Sequence, residues 1–220
     1  MDEAIKQKSK AHTQYKLADG TRVPGVTTIL NVLNKPALVP WANNLGLEGI
    51  VSADFTKETG YIGTLAHAIM LGYFTGREIT DCPLDYSQDQ FDIASMCYQK
   101  GRRWADQYNI EVILAEEPLV SEEWHYGGTP DLFCKINGLF TGVDFKSSSG
   151  LYPENLYQCV GYDRLLKEHG HYPDQWILVG MSRNPEEDFD TKQVNNLDIQ
   201  WGIFKNCLEI YELQKLERRK

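Results

Sequence analysis

The segment GGTPDLFCKINGLFTGVDFKSS, which begins at Gly127, holds two β-type runs that meet at Asn137-Gly138. Asn-Gly between apolar-rich runs specifies a two-residue type I′ hairpin, because both turn residues take positive φ and these two types do so at least cost. The turn fixes the register outward, pair by pair, from Ile136 opposite Leu139 to Asp131 opposite Asp144. Directly opposed side chains have Cβ atoms roughly 4.5 to 5.5 Å apart on one face of the sheet. Lys146 shares that face, since side chains repeat with period two along a strand. A bulge at Gly142 would shift the register.

Two carboxylates this close repel each other unless a cation lies between them, and an oxygen-rich pair suits Mg²⁺ or Mn²⁺. An ammonium beside such an ion orients a nucleophile or offsets charge developing on phosphate. The plainer alternative is that Asp131, Asp144 and Lys146 are surface charges on a solvent-facing hairpin.

With 220 residues and 42% hydrophobic content, the chain can bury the core of a single domain, 15–220, behind a flexible tail, 1–14. No apolar run approaches the ~18 residues that span a bilayer, and the N-terminal MDEAIKQKSKAH lacks the apolar region of a signal peptide, so the expected location is the cytosol. Cys82, Cys97, Cys134, Cys159 and Cys207 are odd in number and include no CxxC pair, which argues against a disulfide framework or a zinc ribbon. The net charge of −9 is unfavourable for contact with phosphate. Local basic strips, Lys100 with Arg102 and Arg103 or the terminal Arg218, Arg219 and Lys220, are either nucleic-acid contacts or solvated helix faces.

Along the chain, Asp19-Gly20 marks a short hairpin before a helix near Val26 to Leu33, and Trp41 to Ile50 and Gly60 to Phe74 read as further helices. Ser87 with Gln90 three later is a capping box opening a long helix through Tyr108, which closes a mainly helical half, 15–110. From Glu111 the period is that of strands: EVILAEEPLV, the hairpin, QWILVGMS and a return strand at Phe189 to Val194. Pro153 starts a helix that Gly170 ends, and a last amphipathic helix occupies the C-terminal segment, 196–220. The order implies a central mixed sheet, within 111–195, flanked by helices.

Three further features bear on the acidic pair. Glu116 and Glu117 end the strand before the hairpin, and alternation allows only one to face Asp131. His67, on the small-residue helix, is either a packing residue or a ligand that favours Mn²⁺ over Mg²⁺. Gln158 and Tyr162 stand four apart on the Pro153 helix, so they project from one face, as surface polarity or as donors that hold a phosphate or the lysine.

His67 in GTLAH, Glu117 in EPLV, Asp131 in GGTPD, Asp144-Phe145-Lys146 in DFKS and Gln158-x-x-x-Tyr162 occur in an order that resembles the RecB-like branch of the PD-(D/E)XK nuclease superfamily. The opening DGTRVPGVTTILNVLNKPALVPW is similar to the N-terminal lobe of small phage-encoded exonucleases, so the resemblance spans about residues 15 to 195. It implies an α/β restriction-endonuclease-like fold with an N-terminal helical lobe. It also implies metal ligation by His67, Asp131, Asp144 and the backbone carbonyl of Phe145, with Glu117, rather than Glu116, as a direct or water-mediated ligand. Lys146 would be the catalytic lysine, and Gln158 and Tyr162 would contact the substrate backbone. Some relatives carry four cysteines for an iron–sulfur cluster; here the cysteines fall inside core elements, and no cluster is expected. No GxxxxGK[ST] phosphate loop is present, so unwinding would come from another protein.

The reading that follows is a Mg²⁺- or Mn²⁺-dependent deoxyribonuclease, an exonuclease in preference to an endonuclease, acting on DNA ends or single strands with a recombination or replication partner. For a phage-encoded chain the location would be the bacterial host cytoplasm. Val26 to Phe74 would then form an arch, in which Trp41, Tyr61, Tyr73 and Phe74 either stack on bases or pack in the core. The rival reading is a catalytically silent nuclease-fold protein that binds nucleic acid or a partner.

Overall fold

The computed structural model describes residues 13–148 and 150–218. The proposed tail, apart from Thr13 and Gln14, lies outside the described residues, as do Arg219 and Lys220. The described residues open with a hairpin of β1 (Tyr15–Lys16) and β2 (Arg22–Val23), followed by α1 (Val26–Leu30), α2 (Leu38–Leu47), α3 (Ser52–Thr75) and α4 (Gln88–Ala105). Then come β3 (Ile110–Ala115), β4 (Leu119–Ser121), β5 (Tyr126–Gly128), β6 (Leu132–Ile136), β7 (Leu139–Lys146), α5 (Pro153–Glu168), β8 (Gln175–Met181), β9 (Phe189–Val194) and α6 (Asp198–Glu217).

Five strands form one mixed sheet in the order β3-β6-β7-β8-β9, parallel between β7 and β8 and antiparallel elsewhere. The parallel pair follows from α5, since strands joined by a helical crossover run the same way. The β6–β7 ladder has the register that Asn137-Gly138 dictates, from Ile136 opposite Leu139 to Leu132 opposite Val143, with turn φ values of 52° and 84°. Gly142 causes no bulge. A Cβ there would lie 2.6 Å from the Trp176 ring, so the glycine admits the indole of β8 instead. The register shift falls in β3, between Val112 and Leu114.

Alternation along the strands builds two cores. Leu132, Cys134, Val143, Phe145, Ile177 and Val179 face α3 and α4, while Phe133, Trp176 and Leu178 face α1, α5 and α6. Tyr73 and Phe74 pack on the first of these cores, Phe74 with its ring 6.0 Å from that of Phe145. Trp41 and Tyr61 are exposed.

Several boundaries differ from the sequence expectation. The run 111–120 is two strands, because Glu116 takes φ 52° and Pro118 lacks an N–H, so β4 leaves the main sheet and pairs with β5. Helix α3 begins at Ser52 rather than Gly60, and α2 begins at Leu38 and ends at Leu47. Helix α4 stops at Ala105; its start carries the full capping box, with Ser87 Oγ accepting from the Gln90 N–H and Gln90 Oε1 from the Ser87 N–H. Among the described residues no helix is long and apolar enough to cross a membrane.

Candidate functional site

Strand β7 outruns β6. The ladder ends at Leu132 opposite Val143, so Asp144, Phe145 and Lys146 pair with β8 on one side and have no strand on the other. Asp131, one residue before β6, fills that gap: its Oδ2 accepts the Phe145 N–H at 2.8 Å. Asp131 thus turns into the plane of the sheet. The N–H and carbonyl of one residue in an extended strand face the same edge, so the Phe145 carbonyl points toward Asp131 as well.

Asp144 and Lys146 project together toward α5, as period two requires. Lys146 Nζ lies 2.5 Å from Asp144 Oδ2 and donates to Gln158 Oε1 at 3.0 Å, and Gln158 Nε2 donates to the Tyr162 hydroxyl at 2.8 Å. One turn of α5 therefore presents both residues to the lysine, with Leu156, Cys159, Val160 and Leu165 locking the helix in the core. Burial acts to lower the Lys146 pKa, but the negative charges of Asp144 and Asp131 outweigh it and hold the ammonium above its ordinary value. Burial and the same two carboxylates push the Tyr162 phenol well up.

His67 reaches the site from the opposite side of the sheet, with Nδ1 3.4 Å from Asp131 Oδ2. Gly63, one turn earlier on α3, explains the close approach: a Cβ there would lie 3.0 Å from Ser147 Oγ, at the end of β7. Glu117 is exposed, with no hydrogen bond or ion pair to another described residue. Glu116 is the more buried of the two and donates its N–H to the Asp131 carbonyl at 3.1 Å. Positive φ at Glu116 had no signal in residue type.

Asp131 and Asp144 are 1% and 0% exposed, and two carboxylates so buried require positive charge nearby. Lys146 supplies one such charge. The donor set of carboxylates, imidazole and strand carbonyl suits a hard divalent cation, so the residues fit Mg²⁺ or Mn²⁺. Among the described residues, no three His, Cys, Asp or Glu side chains already converge as a metal-holding group.

Residues that sequence reading missed support this edge. Tyr15 OH shares a 2.9 Å hydrogen bond with Thr129 Oγ1, two residues before Asp131. Gly127 and Gly128 make room for two tyrosines: added Cβ atoms would lie 2.3 Å from Tyr15 and 2.7 Å from Tyr162. The doubled glycine was the visible signal. The buried cysteines divide between the cores, Cys97 and Cys134 on one side of the sheet and Cys159 and Cys207 on the other.

A mixed α/β sheet whose central strand carries a buried acidic–lysine cluster at an open edge is what fold and site define. Comparison with solved structures gives similar chains of low identity. A putative exonuclease from Eubacterium rectale has 13% identity and a TM-score of 0.47, with 70% of this chain and 66% of that chain covered. The alkaline exonuclease LHK-Exo from Laribacter hongkongensis has 12% identity and a TM-score of 0.33, over 70% of this chain and 82% of that one. Its complex with dAMP has a TM-score of 0.40 at 12% identity, over 70% and 78%. No family model and no curated protein matches the sequence.

Proposed function

We propose that this chain is a metal-dependent nuclease that hydrolyses phosphodiester bonds of DNA, as a restriction-endonuclease-like fold of the RecB-like branch. The observation that carries the reading is the linked set Asp144, Lys146, Gln158 and Tyr162, set beside Asp131 at the open edge of β7. A structural acidic cluster would explain the carboxylates but would give the lysine, amide and phenol no common task.

Asp131, Asp144, His67 and the Phe145 carbonyl would hold the ion, with Glu116 or Glu117 as a further carboxylate. The ion would supply polarisation of the phosphoryl oxygen and a lowered pKa for water. Lys146, held beside Asp144 and Gln158, would set its ammonium against the attacking water or the phosphate. Gln158 restrains Nζ, and Tyr162 restrains Gln158. Gln158 and Tyr162 also line a cavity of about 440 Å³ with Arg22, Thr27, Thr28 and Gly128, a groove suited to a single strand, whose backbone would meet these donors. An exonuclease acting on ends is the favoured form, by resemblance.

One observation favours the silent binding protein. Lys146 Nζ already engages the Asp144 carboxylate. End-labelled single-stranded, double-stranded and circular DNA, incubated in EDTA, Mg²⁺ and Mn²⁺, separates the two. Metal-dependent loss of linear but not circular DNA supports the exonuclease, cutting of circles an endonuclease, and no cleavage in any condition the binding protein.

A further inference from the structure

A cavity of about 690 Å³ lies outside the acidic cluster, between the β1–β2 hairpin, the β4–β5 turn and α6. Its walls combine phosphate-type and base-type partners. Arg22 and Lys205 bring positive charge, Trp124 an aromatic wall, and Leu17 and Leu208 an apolar floor. The charged side chains lining it are Arg22, Lys205 and Lys215 against Glu209 and Glu212; Lys215 is engaged by Glu212 at 3.1 Å, and Lys205 Nζ lies 5.8 Å from the centre of the Trp201 ring. The lining carries one more cation than anion, in a chain of net charge −9.

The aromatic wall is held in place. The Trp124 backbone N–H donates to Ser121 Oγ at 2.8 Å, and the indole ring sits edge-on to Trp201 with centroids 5.1 Å apart. Trp201 is covered in turn by the Arg164 guanidinium at 4.8 Å. The hairpin is tied to the same turn, because the Ala18 N–H donates to Glu122 Oε1 at 2.7 Å and the Gly127 N–H to the Pro24 carbonyl at 2.9 Å. Arg22, Val23 and Pro24 line this cavity and also the groove that reaches Gln158 and Tyr162. A strand lying in the groove thus meets Arg22 at the ridge and the larger cavity just beyond it.

We propose that this cavity is a distal subsite for single-stranded nucleic acid, one that takes the nucleotides continuing past the groove, with phosphate on Arg22 and Lys205 and a base against Trp124. It rests on the nuclease reading of the Asp144–Lys146 site and adds to it a length requirement. Stacking and phosphate contact at such a platform are sequence-tolerant and salt-sensitive.

Steady-state cleavage of a 4-nucleotide and a 20-nucleotide single strand tests it, with wild type, Lys205→Glu, Gly202→Glu and Gly202→Ala. A Cβ at Gly202 meets nothing within 4 Å, so substitutions there are accommodated while glutamate adds repulsion to the cavity. The expected result is a KM for the long strand raised about 10-fold in both glutamate variants, as loss of one phosphate contact and one stacked base implies. The KM for the short strand, kcat on both substrates and the Gly202→Ala variant should match wild type. Wild-type KM values for the long strand in both glutamate variants would overturn the subsite and leave the nuclease standing. Equal KM increases for short and long strands, with dAMP inhibiting wild type but not Gly202→Glu, would also overturn it in favour of a mononucleotide site. A wild-type enzyme that cleaves neither strand would remove the nuclease reading and the subsite with it.

Discussion

The Phe145 N–H donates to Asp131 Oδ2 at 2.8 Å, so a side chain takes the place of a missing strand at the edge of β7. That bond sets the relation between the two halves of the hairpin where the ladder has already ended. It brings the Asp131 carboxylate, the Phe145 carbonyl and the His67 ring to one edge, while Asp144 and Lys146 face α5. The sheet interruption and the site are the same feature.

Lys146→Met should lower thermal stability in EDTA by an amount that Mn²⁺ partly restores. Breaking a buried ion pair by removing one partner costs about 3–5 kcal/mol, and Asp144 is fully buried. Lys146 keeps a little exposure, so the lower end applies. Melting curves with EDTA and with Mn²⁺ would show this; a variant as stable as wild type in EDTA would mean that Asp144 does not need the ammonium.

Gly128→Ala should disturb Tyr162 directly, because the new Cβ would lie 2.7 Å from its ring. Overpacking of this kind costs about 1–3 kcal/mol. Displacement of the phenol would also free Gln158 and with it Lys146, so cleavage should fall further than the loss of folded protein explains. Activity normalised to the folded fraction is the check, and a wild-type value would exclude the relay from Tyr162 to Lys146.

The hairpin register was legible because Asn137-Gly138 leaves one turn geometry, and α4 and α5 were legible from Ser87 with Gln90 and from Pro153 with Gly170. Period two and period 3.6 put Asp144 on one face with Lys146 and Gln158 on one face with Tyr162; that the two pairs would meet was implied only by the family resemblance. Asp131 was legible as a neighbour but not as an edge-filling acceptor, since nothing local says that β6 begins only at Leu132. Glu116 illustrates the other limit: its positive φ accompanies a backbone bond to Asp131, a contact between separate segments. The Tyr15–Thr129 bond, across 114 residues, is of the same kind.

Between the two adjacent glutamates, Glu116→Ala should reduce metal-dependent cleavage at least 10-fold more than Glu117→Ala, on the order of one lost charge-assisted contact. The expectation follows from the partial burial of Glu116 and the backbone bond that sets it beside the Asp131 carbonyl, against the exposed Glu117. Parallel rate measurements at limiting Mg²⁺ decide it; the reverse order would support Glu117 as the ligand.

Thiol chemistry should divide the cysteines by burial. Burial pushes Cys97 up to about 11 and Cys134 up to about 12, whereas Cys82 is partly exposed. Because the thiolate is the reactive form, iodoacetamide at pH 8 should modify Cys82 first and leave Cys97 and Cys134 until the chain is denatured. Peptide mass spectrometry reads the order, and early labelling of Cys134 would contradict its placement in the core.

The most direct test is Lys146→Met measured two ways on one preparation, for Mn²⁺ affinity by calorimetry and for single-turnover cleavage of labelled single-stranded DNA in Mn²⁺. Mn²⁺ affinity should equal or exceed that of wild type, because Asp144 no longer has the ammonium as a competitor, while cleavage falls by about 10²–10⁴-fold. Cleavage at the wild-type rate, or loss of Mn²⁺ binding together with cleavage, would contradict the assignment of Lys146 as the group that acts on the reacting phosphate rather than one that only balances charge.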